Sequence, residues 1–325
     1  MKTINEYFFK LMEITNKSIT DCRKRKLNLD HEDIANKFIE MLKNEFSDKD
    51  LCKLIACAGF IPDLYDSDSS EETLYTKLVE VLVAEWGNRM GYEAHFVREK
   101  SSYEDVNMRI GGKIVVCDAK SFRLGRSQLA PNVKDFLKLE DIRKWLGRYE
   151  HKLGGLVTYP DTHEWLKGSD AYLYCSTKDC PTVMLPYIYL ALLLNFKSQF
   201  DTENLAELWQ YERLFPKPLP KKSKTGNRKL YWDVINVELM RIMNITESEF
   251  LLYLEKCKKF QLTCVRENYN LVKEKKKNIV KKIKLETDSM TEQEVREEFA
   301  QYKIKTMTQN LDNFMERIEN FRLKQ

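Results

Sequence analysis

The chain has 325 residues, 43% of them hydrophobic, and its 54 Lys and Arg nearly cancel 50 Asp and Glu to leave a formal charge of +4. That length can bury a full core as one large domain or two smaller ones, and the charge balance permits nucleic-acid binding without demanding it. Eight cysteines include no C-x-x-C pair, and only four histidines accompany them, which argues against a structural zinc.

Residues 1–60 repeat apolar positions at helical spacing, as in Phe38, Met41, Leu42 and then Leu51, Leu54, Ile55. Residues 1–17 mix charges into that pattern and so do not resemble a signal peptide. The cysteines are therefore expected to be reduced thiols of a cytoplasmic protein. Residues 61–70 carry Pro62 and a cluster of Asp and Ser, which is loop chemistry. A long helix should follow: Ser69 and Glu72 have capping-box spacing, and Leu74, Leu78, Val81, Leu82 and Trp86 line one side until Gly91.

A β region comes next, with strands expected over 94–97, 106–110 and 114–122. The last is apolar on both faces, as a buried central strand should be. Phe136, Leu139, Ile142 and Trp145 recur at helical spacing, residues 171–176 read as a strand and 186–196 as a helix. The apolar run 187–194 is far shorter than the roughly 20 residues that span a bilayer. Strands alternating with helices predict an α/β fold with a mixed sheet between helices. Residues 215–230, rich in Pro and Lys, read as an exposed connection, and 231–325 is helical in pattern with a basic run at 273–284. Three regions follow: an N-terminal helical region (1–65), a core (66–214), and a basic loop with a C-terminal helical region packed on the core (215–325).

The hairpin inside the β region carries the chemistry. Gly111 and Gly112 lie between two β-prone runs, and a Gly-Gly pair suits a two-residue turn whose central positions need positive φ. Counting outward pairs Ile110 with Lys113, Met108 with Val115, Val106 with Cys117 and, last, Asp105 with Asp118. Like charges placed roughly 4.5–5.5 Å apart across strands destabilise a sheet, and a divalent cation would offset the repulsion. Magnesium takes one or two protein carboxylates and leaves positions for water and phosphate. Lys120 follows Asp118 by two residues and so shares its face. Two carboxylates and an ammonium on one face are the parts that phosphodiester hydrolysis needs. No G-x-S-x-G elbow or His-paired nucleophile offers an alternative.

V-V-C-D-A-K-S-F-R-L-G-R over 115–126 closely resembles the active-site strand of the HindIII family of restriction endonucleases. The likeness extends to S-S-E-E-T-L-Y-T-K at 69–77, E-D-V at 104–106, K-D-F at 134–136 and F-P-K-P-L-P-K-K-S-K at 215–224. It implies a PD-(D/E)xK nuclease core, a central mixed sheet flanked by helices with helical additions at both ends. It also implies a homodimer that cuts double-stranded DNA at a short palindrome with Mg2+, and functionally a cognate DNA methyltransferase. On the resemblance, Asp105 and Asp118 bind metal and Lys120 orients the attacking water. Glu99 stands near a further acidic position of the family, displaced by one residue, and Asp135 matches an acidic residue that could help hold a second metal. Glu72 corresponds either to a helix glutamate that joins such sites or to the far half of the Ser69 capping box. The stretch between the two aspartates is shorter here than in the family.

Arg123, Arg126, Gln128 and Lys134 follow the catalytic strand and are placed to meet the DNA backbone or groove, with residues 217–229 a second candidate for phosphate contact. The basic run at 273–284 also holds Ile279, Val280 and Ile283 at helical spacing, so a solvated face of an amphipathic helix is its simpler reading. Two rivals stay open: a structure-directed repair or junction nuclease of the same fold, and a DNA-binding protein without catalysis.

Overall fold

The computed structural model describes residues 6–7, 9–62, 64–97, 102–123, 138–160, 177–217 and 230–318. Helices α1 (Lys10–Arg25), α2 (His31–Glu45) and α3 (Asp48–Ala56) lie in the first part of the chain. Their starts are written in the sequence: Asp30 accepts the Glu32 and Asp33 amides, and Ser47 with Asp50 forms a reciprocal capping box. A two-residue strand, β1 (Phe60–Ile61), leads to the long helix α4 (Ser70–Met90). Ser69 caps α4 by accepting the Glu72 amide, and Gly91 ends it with φ 97°.

The sheet then builds from β2 (Glu93–Phe96), β3 (Val106–Ile110), β4 (Lys113–Ala119), β6 (Lys152–Tyr159) and β7 (Thr182–Pro186), in the order β2-β3-β4-β6-β7. Strands β2, β3 and β4 pair antiparallel, while β4-β6 and β6-β7 are parallel, which makes the sheet mixed and puts β4 at its centre. Both faces of a central strand meet other layers, and Val115, Val116 and Cys117 are fully buried. Helix α4 lies against β2 and β3, whereas α5 (Leu139–Leu146) lies against β4 and β6. Helix α6 (Tyr187–Phe196) follows β7 directly and packs on α3. The expected restriction-endonuclease-like architecture is thus observed.

The hairpin register runs from Ile110↔Lys113 to Val106↔Cys117 as the Gly-Gly count requires, with both glycines at positive φ. Two expectations need correction. The ladder stops at Val106↔Cys117, because Asp105 leaves strand geometry and turns its carboxylate onto the Ala119 amide. The strand expected over 114–122 ends at Ala119, and Phe122–Arg123 forms a separate strand, β5, parallel to β1. Strands β6 and β7 were not anticipated, and the strand expected at 171–176 lies outside the described residues.

Beyond the sheet come α7 (Leu230–Met243), α8 (Glu247–Asp288) and α9 (Glu292–Ile318). Phe215, assigned from sequence to an exposed connection, is buried and stacks on Tyr231 at 5.6 Å. The chain divides into two compact units, 1–268 and 269–325. Buried positions of α8 run Phe250, Leu254, Cys257, Gln261, Cys264 and Asn268, all in the first unit. In the second unit no described side chain is buried. Among the described residues no helix is long and apolar enough to cross a membrane.

Candidate active site

Asp118 is the penultimate residue of β4, and only 4% of it is exposed. Lys120 lies just past the strand, and its backbone is pinned on both sides: its amide donates to Thr158 O at 2.8 Å, and its carbonyl accepts from the Tyr187 hydroxyl at 2.9 Å. Gly59 makes that approach feasible. With φ +80°, a Cβ there would come 2.6 Å from Tyr187 Cε2, 2.7 Å from Pro160 Cγ and 3.0 Å from Lys120 O. The Gly59 carbonyl in turn accepts the Phe122 amide at 2.7 Å, so the strand end is held in a fixed path.

Lys120 Nζ lies 2.7 Å from Asp118 Oδ2. The contact is an ion pair whose alignment is not that of a hydrogen bond, so this buried oxygen lacks a hydrogen-bond partner among the described residues. Asp105 Oδ2 accepts the Ala119 amide at 2.8 Å, while the Asp105 amide donates to Cys117 O at 3.1 Å. The backbone therefore brings the two aspartates near each other, though not as the ladder pair that the count predicts, because a side chain replaces the last rung.

A third carboxylate joins them from α4. Burial pushes the Glu80 carboxyl up to about 7, against the pull of Lys77, with Asp118 adding to the rise. Lys77 pairs with Glu80 and also donates to Val97 O at 3.2 Å. Asp105 is raised well above the carboxylate range by burial first, then by Glu80 and Asp118, with the Ala119 amide and Lys120 opposing. Acids whose pKa values are raised by desolvation and by one another cluster at functional sites.

Sequence reasoning missed Glu80 and weighed Glu72 in its place. Glu72 Oε2 accepts the Asp68 amide at 2.7 Å, and the Glu72 amide donates to Ser69 Oγ at 3.2 Å, so it serves the start of α4. Glu80 is eight residues further along, about 12 Å at helical rise. The available signal was its charge beside the buried Leu78, Val79, Val81 and Leu82, where an unpaired carboxylate is costly. Arg123 lies in β5, with only its backbone described. Glu99, Arg126, Gln128, Lys134 and Asp135 lie outside the described residues.

Among the described residues, no three His, Cys, Asp or Glu side chains are gathered into a ready-made ligand shell. Hard oxygen donors suit a magnesium ion, which needs only one or two protein carboxylates, and Asp118 Oδ2 is a buried oxygen short of a donor. The residues present fit such an ion.

A mixed sheet between helices, with a buried Asp-x-Lys at the end of its central strand and a second Asp beside it, defines the restriction-endonuclease-like class of nuclease. The HindIII restriction endonuclease family matches residues 24–305, and the chain belongs to that family. No curated protein matches it.

Proposed function

We propose that the chain is a type II restriction endonuclease that hydrolyses double-stranded DNA at a short palindrome, as a homodimer with Mg2+, leaving 5′-phosphate and 3′-hydroxyl ends. The observation that carries this reading is the convergence of Asp105, Asp118, Lys120 and Glu80 at the end of the central strand, in a chain of this family. Asp105 and Asp118 would hold the cation, with Glu80 beside them. When bound, Mg2+ supplies neutralisation of the scissile phosphate and a water of lowered pKa.

Lys120 brings a fixed ammonium, 2.7 Å from Asp118, to orient the attacking water and offset charge that develops on the phosphate. Its pinned backbone spares reorganisation during reaction. Glu80, with its carboxyl near neutrality, can take up a proton released at the site. Two protomers related by a two-fold axis would each cut one strand, which makes a palindrome the natural target.

Incubating the protein with a sequenced plasmid, with and without Mg2+, and reading the fragment ends tests this. Discrete ends at one palindrome, only with metal, are expected. A smear or cuts confined to junctions would instead favour a structure-directed nuclease, and intact plasmid throughout would leave a binding module.

A further inference from the structure

The residues that lead into β3, 102–105, are fastened to the end of α5 by contacts that the catalytic reading does not use. The Glu104 side chain is fully buried, at 0% exposure. Its Oε1 accepts from the Tyr149 hydroxyl and from Asn107 Nδ2 at 3.3 Å, and Asn107 Nδ2 also reaches the Tyr149 oxygen at 3.3 Å. Arg148 Nη1 lies 3.4 Å from Glu104 Oε2. The same guanidinium sits 3.8 Å over the Tyr103 ring and donates to Ser102 O at 2.5 Å, where Trp145 Nε1 also donates at 3.1 Å.

A carboxylate this deep is tolerated only with such partners, and they come from one short stretch, 145–149, and from β3 itself. Asp105 is the next residue. Its position follows from the backbone that Glu104 anchors on one side and the Cys117 carbonyl on the other. A metal-binding carboxylate must be held within about 0.5 Å of its working place, and neighbours that lock it decide whether it is.

We propose that Glu104 is a positioning residue: clamped by Tyr149, Arg148 and Asn107, it fixes the chain at Asp105 so that the Asp105 carboxylate meets the cation beside Asp118. The affinity of the site for Mg2+ then depends on a residue that touches neither metal nor DNA. This rests on the metal-dependent nuclease reading above. A purely structural anchor would alter melting temperature and leave the metal response alone.

The test compares wild type, Glu104→Gln, Tyr149→Phe and Asp105→Asn by calorimetric titration of Mg2+ into the DNA-free protein, by Mg2+ dependence of cleavage, and by DNA binding without divalent ions. Weakening of Mg2+ affinity by about 10–100-fold is expected for Glu104→Gln, the range for residues that orient metal ligands, with a smaller loss for Tyr149→Phe. DNA binding without metal should stay unchanged, and adding Glu104→Gln to Asp105→Asn should weaken Mg2+ binding no further. Should Glu104→Gln fail to fold, Tyr149→Phe, which deletes one hydroxyl, carries the comparison. Variants that melt lower but titrate as wild type does would overturn the proposal. A wild type that neither binds Mg2+ nor cleaves would overturn the nuclease reading and this one with it.

Discussion

Glu238 is a buried carboxylate and Asp105 a half-buried one, and their surroundings send them in opposite directions. At Glu238 burial alone would raise the pKa, but hydrogen bonds from Arg241 and Arg213 more than offset it and hold the carboxyl at about 2. Asp105 is raised by burial and then raised further by Glu80 and Asp118. The structural acid has its own cations; the site acid has mainly other acids. Because the folded value of Glu238 is depressed from 4.5, its contribution to stability is complete above pH 4.5 and lost as pH falls toward 2. Glu238→Gln should therefore melt below wild type at pH 6, with the gap closing through that window, as thermal melts across pH would record. The acid cluster predicts a second effect. Millimolar Mg2+ should raise the melting temperature of the wild type, since only the folded chain gathers the ligands, and Asp118→Asn should abolish that rise. Gly59→Ala should cost about 1–3 kcal/mol through strain and overpacking, and by displacing the Tyr187 ring that holds the Lys120 carbonyl it should slow cleavage as well.

At the level of elements, the sequence made legible what local chemistry decides. Gly111-Gly112 set a register that the structure reproduces at every pair of the ladder, and Ser69 and Gly91 mark the limits of α4. Unread were β6 and β7, for reasons that lie in packing. Gly154 and Gly155 look like a turn, yet they sit inside β6 because other groups crowd its surface: a Cβ on Gly154 would come 2.1 Å from Pro181 O and 2.3 Å from Trp209 Cδ1. Strand β7 merges in sequence with the apolar run of α6 that follows it. The last rung of the hairpin failed to follow the count because a side chain, Asp105, took the amide that a backbone carbonyl would have taken. Glu80 could be read only as a charge inside the apolar run Leu78, Val79, Val81 and Leu82; that it meets Asp105 and Asp118 depends on tertiary packing. Gly154→Ala should destabilise the protein by about 1–3 kcal/mol, measured by denaturant unfolding, and a neutral outcome would mean that the Trp209 contact is not as close as described.

For the molecule as a whole, the buried stripe of α8 ends at Asn268, and the unit beyond it leaves Ile279, Ile283, Phe299, Tyr302, Met307 and Leu311 exposed. A chain ending at 268 should keep the melting transition of the full protein to within a few degrees, checked by circular dichroism. Whether Asp105, Asp118 and Lys120 form a metal-dependent site for cutting DNA is decided by comparing wild type with Asp118→Asn on duplex DNA, scoring cleavage with Mg2+ beside binding without it. The prediction is wild-type cleavage that requires Mg2+, and a variant that binds DNA as wild type does but cleaves at least about a hundredfold more slowly, the scale of losing one charge-stabilising group. Undiminished cleavage by Asp118→Asn, or wild-type cleavage that ignores the metal, would contradict it.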